Sequence, residues 1–410
     1  EPGPVLFAVF QFGLTGLFVL PPTICMGATL PILARFATQD VDGSGAQVGR
    51  LYGANTIGAV IGVAVAGFYL LPTMGLQATT WATATANFAL CLVAGLLAVW
   101  VHKKKSLSST PTPLVQSEDP AEAPEPAPQD EVAWFQALYW LAALGGLSSL
   151  ILEVAWFRLL GLIFGASAYA FSLMLLAFLI GIGTGGWTGG RLADRVWKRG
   201  GRAAIARTAS RIQLSLAVVV YLSMYAYMAL PGCFVLVFEW VDGSENHTLL
   251  WLANLSLALL IMLPAAFLMG LMFPLLVRGA ADDSIEVGGP VGRIYGWNTV
   301  GAILGASIGG LALLPLLHVR GAVLAALSVN LLASLVAAAA HHQQLSESEQ
   351  KPRYVQKRIR WTLGAIFTIQ LASMIDLKGI GGDQSKEFPY WEPLLITAGT
   401  YKYVDYIPEE

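Results

Sequence analysis

The octapeptide at residues 49–56, Gly-Arg-Leu-Tyr-Gly-Ala-Asn-Thr, returns at residues 292–299 as Gly-Arg-Ile-Tyr-Gly-Trp-Asn-Thr. The two copies are 243 residues apart, and further matches keep this spacing without a gap. These matches pair Gly27 with Gly270, Pro31 with Pro274, Arg35 with Arg278, Gly58 with Gly301, Gly62 with Gly305, Pro72 with Pro315 and Asn87 with Asn330. Biased composition does not keep a constant register across three apolar stretches, so the sequence indicates that one helical unit is present twice.

The composition places both copies in a lipid bilayer. Of 410 residues, 56% are hydrophobic and only 12% are charged, whereas a soluble domain carries about 25% charged residues. So few charges cannot cover the surface of a water-exposed protein of this size, and we expect the bilayer to be the main partner. The net charge of −2 gives no general attraction to nucleic acid, which we exclude as a partner.

The three cysteines provide neither a metal-binding nor a disulfide pattern. Cys25, Cys91 and Cys233 lie far apart in apolar surroundings and show no C-x-x-C spacing. We therefore expect them to be buried free thiols.

Roughly ten stretches have the length and hydrophobicity of membrane-spanning helices, for which about 20 apolar residues are needed. They are residues 5–33, 48–71, 76–101, 134–152, 164–187, 212–234, 249–277, 291–316, 319–340 and a shorter stretch at 361–375. Basic loops alternate with acidic or very short loops, so the positive-inside rule places the basic loops in the cytoplasm. The pattern predicts an all-α, polytopic membrane helix bundle of major facilitator type, built from two parallel pseudo-repeats.

The stretches divide the chain into five predicted parts. They are the last three helices of a first half (1–101), a disordered Pro- and Glu-rich linker (102–133), a six-helix second half (134–342), a basic segment with a short apolar helix (343–376) and a polar tail (377–410). The second copy of the unit is preceded by three further helices and the first copy is not. We therefore expect the first half to be incomplete, with three helices preceding Glu1.

One helix carries charges where lipid disfavours them. Glu153, Trp156 and Arg158 directly follow the stretch at 134–152, in the same apolar helix. An unpaired charge within an apolar helix costs several kcal/mol. The five-residue step from Glu153 to Arg158 does not bring the two side chains together on one helix. These three residues are candidates for binding a cationic solute or for proton coupling. The alternative is that Arg158 extends to the interface and that Glu153 accepts a structural hydrogen bond.

A second motif, Gly190-Arg191-Leu192-Ala193-Asp194-Arg195, follows the second helix of the second half. Its Gly190, Asp194 and Arg195 are candidates for a conformational latch, because charge pairing at a helix end can hold one state. The alternative is an ordinary basic cytoplasmic loop.

Glycines at four-residue spacing indicate close helix packing in both copies. The residues concerned are Asn55, Gly58 and Gly62 in the first copy and Asn298, Gly301 and Gly305 in the second. Because both copies carry them, we expect an architectural role rather than an asymmetric binding site. The adjacent pair His341-His342 has no further ligands at metal spacing, and we predict neither a metal nor a cofactor in this chain.

The sequence resembles the membrane region of fused major facilitator/spermidine synthase-like proteins, which are mostly bacterial. The matching segments are residues 146–160, residues 165–172, both octapeptides and both Met-Gly-x-x-x-Pro segments, and together they span most of residues 21–340. The resemblance implies a location in the bacterial inner membrane. The two-half build and Glu153 indicate a transporter-like module that handles a small cationic solute such as a polyamine. The resemblance also implies a polyamine aminopropyltransferase domain beyond Glu410, with residues 390–403 as the junction. No position here matches a catalytic residue of that domain.

Three functions therefore remain open at the level of the sequence. The first is a transporter-like membrane module of a spermidine synthase-like protein. The second is a non-transporting membrane anchor or assembly subunit, which would have protein partners in a larger membrane complex. The third is a fragment of a membrane-bound aminopropyltransferase.

Overall fold

The computed structural model describes residues 4–37, 43–108, 129–165, 167–241, 247–281, 288–345 and 364, and the regular elements in these ranges are all helical. The α-helices are α1 (Pro4–Ala37), α2 (Ser44–Val65), α3 (Leu71–Ser108), α4 (Gln129–Phe164), α5 (Ala168–Val241), α6 (His247–Ala280), α7 (Gly288–Ile308) and α8 (Leu314–Gln343). Two π-helical segments, Ala66–Leu70 and Gly309–Leu313, join α2 to α3 and α7 to α8. The prediction of an all-α fold is confirmed.

Six helical stretches are long and apolar enough to cross a membrane. Three of them, Ser44–Val101, Ala168–Tyr227 and Gly288–Gln343, contain 58, 60 and 56 residues. A straight helix of 60 residues would be about 90 Å long, three times the thickness of a bilayer core of about 30 Å. Each of the three is interrupted by non-helical backbone, at Gly75, at Gly200–Gly201 and at His318 respectively. The chain is therefore a multi-pass integral membrane protein.

The helix boundaries recur with the spacing of the sequence repeat. α1 begins 243 residues before α6, and the two π-helical segments are the same distance apart. The kink at Gly75 (φ 74°, ψ 174°) recurs at His318 (φ 57°, ψ −176°), again 243 residues later. A positive φ costs a residue with a Cβ roughly 1–2 kcal/mol. The second copy therefore keeps the backbone turn although its glycine has been replaced by histidine.

Two buried clusters form the core of the bundle. The first surrounds Trp134, whose indole Nε1 donates a hydrogen bond to the Gly279 carbonyl at 2.9 Å. It occupies the end of the bundle that holds Asp194 and Arg278, which is called the inner end below. The second cluster surrounds Trp156 and extends toward the opposite, outer end.

Hydroxyl groups join the helices at their contacts. Ser210 on α5 hydrogen-bonds both the carbonyl and the hydroxyl of Ser334 on α8, at 2.9 and 3.1 Å. Ser148 on α4 donates to the Ala326 carbonyl on α8 at 3.2 Å. Such polar contacts between helices contribute to association where lipid offers no hydrogen-bonding alternative.

The two copies of the unit have different neighbours. An added Cβ would lie 1.9 Å from the Ala143 carbonyl at Gly301 and 2.3 Å from the Leu147 carbonyl at Gly305, so α7 and α4 pack backbone against backbone. At the equivalent Gly58 and Gly62 of α2, an added Cβ would have no atom of another described helix within 4 Å. Asn55 is exposed, whereas Asn298 is half-buried. The first copy therefore leaves open, among the described residues, a face that the second copy covers.

Some expectations from the sequence are wrong or lie outside the described residues. All three cysteines are exposed, because they lie on faces of α1, α3 and α5 that no other described helix covers. α3 continues to Ser108 and α4 begins at Gln129, so helix occupies both ends of the predicted linker. Residues 109–128, the tail at 377–410 and nearly all of the basic segment with its apolar helix lie outside the described residues.

Candidate functional site

A cavity of about 150 Å³ lies where α2, α4, α5, α6 and α7 meet, and it is called the central cavity below. Its polar wall consists of Tyr52, Ser149, Gln213 and Asn298. The remaining wall is apolar or aromatic and includes Phe178, Ile182, Met269, Met272, Phe273 and Ile294. Tyr52 and Asn298 come from the two octapeptides, so both copies of the repeated unit contribute to one cavity.

Gln213 is the least satisfied polar group of this wall. Its side chain is 1% exposed, and its Oε1 atom has no hydrogen-bond partner. A buried acceptor without a donor raises the free energy of the folded protein by roughly 1–3 kcal/mol. A ligand that donates an N–H or O–H group to this oxygen would remove that penalty. Sequence reasoning missed this residue because it lies at the start of its apolar stretch, two residues after Arg211, where polar residues are ordinary.

The central cavity carries no formal charge. None of the described residues that line it is Asp, Glu, Lys or Arg. Amide and hydroxyl oxygens together with aromatic faces can nevertheless hold an ammonium group, through hydrogen bonds and cation–π attraction. The volume corresponds to about five water molecules at ~30 Å³ each, so the arrangement suits a small solute that donates hydrogen bonds.

The tyrosines of the two octapeptides pack on the same aromatic ring. The Phe273 ring lies 4.8 Å from the ring of Tyr52 and 6.0 Å from that of Tyr295, measured between centroids. The equivalent tyrosines therefore lie at a similar depth in the bundle.

A second cavity of about 1000 Å³, the outer cavity, lies between the outer ends of α2, α4 and α5. Arg158 lines this cavity and is exposed, as are the neighbouring Leu162 and Ser167. The outer cavity and the central cavity follow one another along α4, which contributes residues between Leu141 and Leu150 to the central cavity and residues between Phe157 and Leu162 to the outer cavity.

The structure places the three candidate substrate residues in different surroundings. Glu153 is half-buried on α4 between the two cavities, and its carboxylate makes no hydrogen bond or ion pair with any described residue. Trp156 is fully buried, and its Nε1 donates to the hydroxyl of Tyr227. Arg158 lines the outer cavity. Only one of the three therefore lies in a cavity wall.

Asp194 connects the two copies of the unit at the inner end. Its carboxylate oxygens accept hydrogen bonds from the backbone N–H groups of Gly45 at 3.0 Å and Ala46 at 2.8 Å, in the first turn of α2. The same carboxylate lies 3.4 Å from Nε of Arg278, a residue of α6 whose side chain is 3% exposed. The Arg278 guanidinium also lies over the Trp197 ring, 4.3 Å from its centroid. One carboxylate thus joins α2, α5 and α6.

The other two candidate latch residues differ in their contacts. Gly190 lies in the α2–α5 contact, where an added Cβ would be 2.5 Å from the Gly45 carbonyl and 2.9 Å from the Gly49 Cα. Arg195 is exposed and makes no ion pair with a described residue. The cation that pairs with Asp194 is instead Arg278, which the sequence showed only as the repeat partner of Arg35.

The histidines are not arranged as metal ligands. His341 is buried, its Nδ1 lies 2.8 Å from the Ala203 carbonyl, and its Nε2 accepts from Nε of Arg207 at 3.4 Å. Across the part of the chain that the structure describes, no group of three or more His, Cys, Asp or Glu side chains could hold a metal ion.

Together, the helices and the central cavity define a polytopic α-helical membrane protein with a polar chamber at the junction of five helices. Comparisons with protein-family models, with curated proteins and with solved structures gave no match. Function is therefore inferred from the residues of this chain.

Proposed function

We propose that the chain is the membrane-spanning, transporter-like module of a carrier with two parallel halves of facilitator type, and that its central cavity holds a small amine-bearing solute such as a polyamine. The recurrence of helix boundaries at the repeat spacing supports this architecture, as does the similar depth of Tyr52 and Tyr295. In carriers built from repeats, the solute site lies at the repeat interface near the bilayer midplane. The central cavity has this position between the copies.

The observation that carries the proposal is the unpaired Oε1 atom of Gln213 in the wall of a cavity without charged side chains. An ammonium group offers three donors and no acceptor, so it would satisfy Gln213 and leave further donors for Tyr52, Ser149 or Asn298. The rings of Phe178 and Phe273 would contribute cation–π attraction. Glu153 lies on α4 at a level between the outer and central cavities, which supports a coupling role for that carboxylate.

The contacts of Asp194 support a conformational state of the module in which its inner end is closed. They hold the first turn of α2 against α5 and α6, so the inner end is closed while the large outer cavity lies at the opposite end. In this state the solute would enter from the outer end. Breaking the Asp194 contacts would be one step in opening the inner end.

Uptake by reconstituted protein tests this proposal. The purified chain in proteoliposomes is expected to accumulate a radiolabelled polyamine in a saturable manner. Gln213→Leu removes the unpaired acceptor and should lower uptake about tenfold or more, the effect expected for one hydrogen bond to a charged group.

Asn254→Leu is the matched control for that experiment. Asn254 is also a buried amide with an unpaired side-chain oxygen, 6% exposed, but it lies on α6 outside the central cavity. This variant should change uptake by less than about twofold. Wild-type uptake that does not saturate, or equal uptake by wild type and Gln213→Leu, would overturn the proposal.

One observation favours a second function, that of a non-transporting assembly subunit. Among the described side chains of α3, only Thr79 is buried. Asn87 is exposed in the middle of this apolar helix, whereas its repeat partner Asn330 is fully buried. A polar face within the membrane suits contact with other transmembrane helices. An assembly subunit would move no solute, so the uptake experiment separates the two functions.

The third function, a membrane-bound aminopropyltransferase, depends on residues 390–403 and on a catalytic domain beyond Glu410. The segment at 390–403 lies outside the described residues, and the function stays a hypothesis from the resemblance.

A further inference from the structure

The outer cavity has the chemistry of an amphiphile site. Its wall is mostly apolar and includes Val63, Leu71, Phe157, Leu162, Phe171, Met174 and Leu175. The polar side chains in the wall are those of Arg158, Ser167 and Ser172. Ser172 is already engaged, because its hydroxyl donates to the Ala168 carbonyl at 2.8 Å. A volume of about 1000 Å³ lies at the upper end of the range for ligand sites of proteins.

Arg158 is a cation without an acidic partner. It makes no ion pair with a described residue, and no Asp or Glu is among the described residues that line the cavity. Glu153 lies five residues earlier on α4, which corresponds to about 7.5 Å along the axis and a rotation of about 140°. The two side chains therefore point to different sides of the helix. A guanidinium presents five donors in a planar fork, which matches carboxylate or phosphate oxygens.

The depth of Arg158 in the membrane further restricts the class of ligand that can bind there. α4 ends at Phe164, six residues beyond Arg158, so about 9 Å of helix separates this residue from the outer end of α4. An arginine at that depth reaches the region where lipid headgroups meet acyl chains. The exposed Leu162 and Phe171 lie beside it in the cavity wall.

We propose that the outer cavity binds an anionic phospholipid, with its phosphate on Arg158 and an acyl chain against Phe157, Leu162 and Phe171. A hydrated inorganic anion would leave the apolar wall in contact with water, whereas an acyl chain covers it. A zwitterionic phospholipid brings its own cation, so it gains less from Arg158. The lipid would lie at the outer end, where the proposed solute enters, but its site depends on residues that do not line the central cavity. The two proposals can therefore fail separately.

Native mass spectrometry of the full chain in detergent tests the proposal. The protein is incubated with phosphatidylglycerol, with phosphatidylcholine or with inorganic phosphate, and bound lipid is counted after detergent washing. Wild type should retain about one phosphatidylglycerol molecule and release phosphatidylcholine. Arg158→Ala should weaken phosphatidylglycerol binding about tenfold or more, and Arg158→Lys by less, since a charge–phosphate contact is lost only in the first variant.

Two further variants make the result specific. Gly161 lies in the cavity wall, and an added Cβ there would have no atom of another residue within 4 Å. Gly161→Phe should therefore place a ring beside Arg158, in the space proposed for the acyl chain, and weaken lipid binding while Arg158 remains in place. Arg293→Ala removes an exposed arginine of α7 and should leave the retained lipid unchanged.

Several results would overturn the lipid site. They are equal retention by wild type and Arg158→Ala, equal retention of phosphatidylcholine, an equal loss in Arg293→Ala, or unchanged retention in Gly161→Phe. Displacement of phosphatidylglycerol by inorganic phosphate at millimolar concentration would show a free-anion site instead.

Discussion

Asp194 caps a helix to which it does not belong. The N-cap residue of α2 is Gly43, which has no side chain to accept the first N–H groups of the helix. The Asp194 carboxylate takes that role from α5, by accepting from Gly45 and Ala46. Anions are stabilised at helix N-termini because the unpaired N–H groups carry partial positive charge. The cap is therefore also a contact between the two copies of the unit.

Replacement of Asp194 by Asn should loosen this contact. The amide keeps the shape of the carboxylate but loses the charge that the α2 N-terminus and Arg278 both attract. We expect the free energy of unfolding to fall by about 1–3 kcal/mol. Ser44 is fully buried beside this cap. In a variant without native cysteines, Ser44→Cys should react with a membrane-impermeant maleimide at least several-fold faster when Asp194→Asn is also present.

Arg195→Ala provides the comparison, since Arg195 is exposed and has no ion pair among the described residues. It should change the maleimide rate very little. If both variants accelerate the maleimide reaction equally, the inner end is kept closed by its overall charge rather than by the Asp194 cap.

At the level of single residues, the sequence indicates which groups are charged but not which groups meet. Asp194 could be recognised in its motif, because the loop pattern is local. Its partner Arg278 lies 84 residues further along the chain, and only packing of α5 on α6 brings the two together. Gln213 gives still less local signal, because it becomes notable only when four other helices surround its amide.

Helices α2 and α7 show how one sequence pattern can serve two environments. Gly301 and Gly305 press α7 against α4, while Gly58 and Gly62 occupy the same positions of α2 without a described helix opposite them. Four-residue glycine spacing predicts a flat helix face. It does not specify whether a second helix covers that face.

Valine at Gly301 should destabilise the bundle, because the new Cβ would collide with the Ala143 carbonyl, which cannot move without its helix. Overpacking of this kind lowers the free energy of unfolding by roughly 1–3 kcal/mol or more. We expect Gly301→Val to show this as a lower melting temperature in detergent. Gly58→Val is the matched variant in the other copy and should have little effect. An equal loss in both variants would show that the open face of α2 also packs against a helix in the folded protein.

Most helices could be predicted from hydropathy, because an apolar run of spanning length has few alternatives in lipid. The interruptions were harder to place. Pro72 and Pro315 mark the two equivalent turns in the sequence, yet the non-helical backbone lies three residues further on, at Gly75 and His318. Histidine carries no sequence signal for a left-handed turn, so only the repeat relates it to Gly75.

At the scale of the whole molecule, the proposed carrier architecture predicts that the two copies point in the same direction. Arg50 and Arg293 are equivalent exposed residues near the starts of α2 and α7, and the tyrosines two positions after them share Phe273. Thiols introduced as Arg50→Cys and Arg293→Cys, without the native cysteines, should react with an impermeant reagent from the same side of a sealed vesicle. Ser167→Cys at the outer end should react from the other side.

Labelling of Arg50→Cys and Arg293→Cys from opposite sides would exclude parallel copies and, with them, the proposed carrier architecture. Labelling of both thiols from the same side would support parallel copies. It would not identify the solute, because the topology does not depend on what the central cavity binds.

The paired π-helical segments bear on the history of the chain. A π-helical segment arises when one residue is inserted into an α-helix, and such insertions persist mostly where they are useful. Both copies carry theirs at the same position, Ala66–Leu70 and Gly309–Leu313. The simplest ancestry has the insertion already present in a single ancestral unit before the gene duplicated. The π-helical segment would then be older than the two-copy protein. Both copies have kept it, although the helices around them differ.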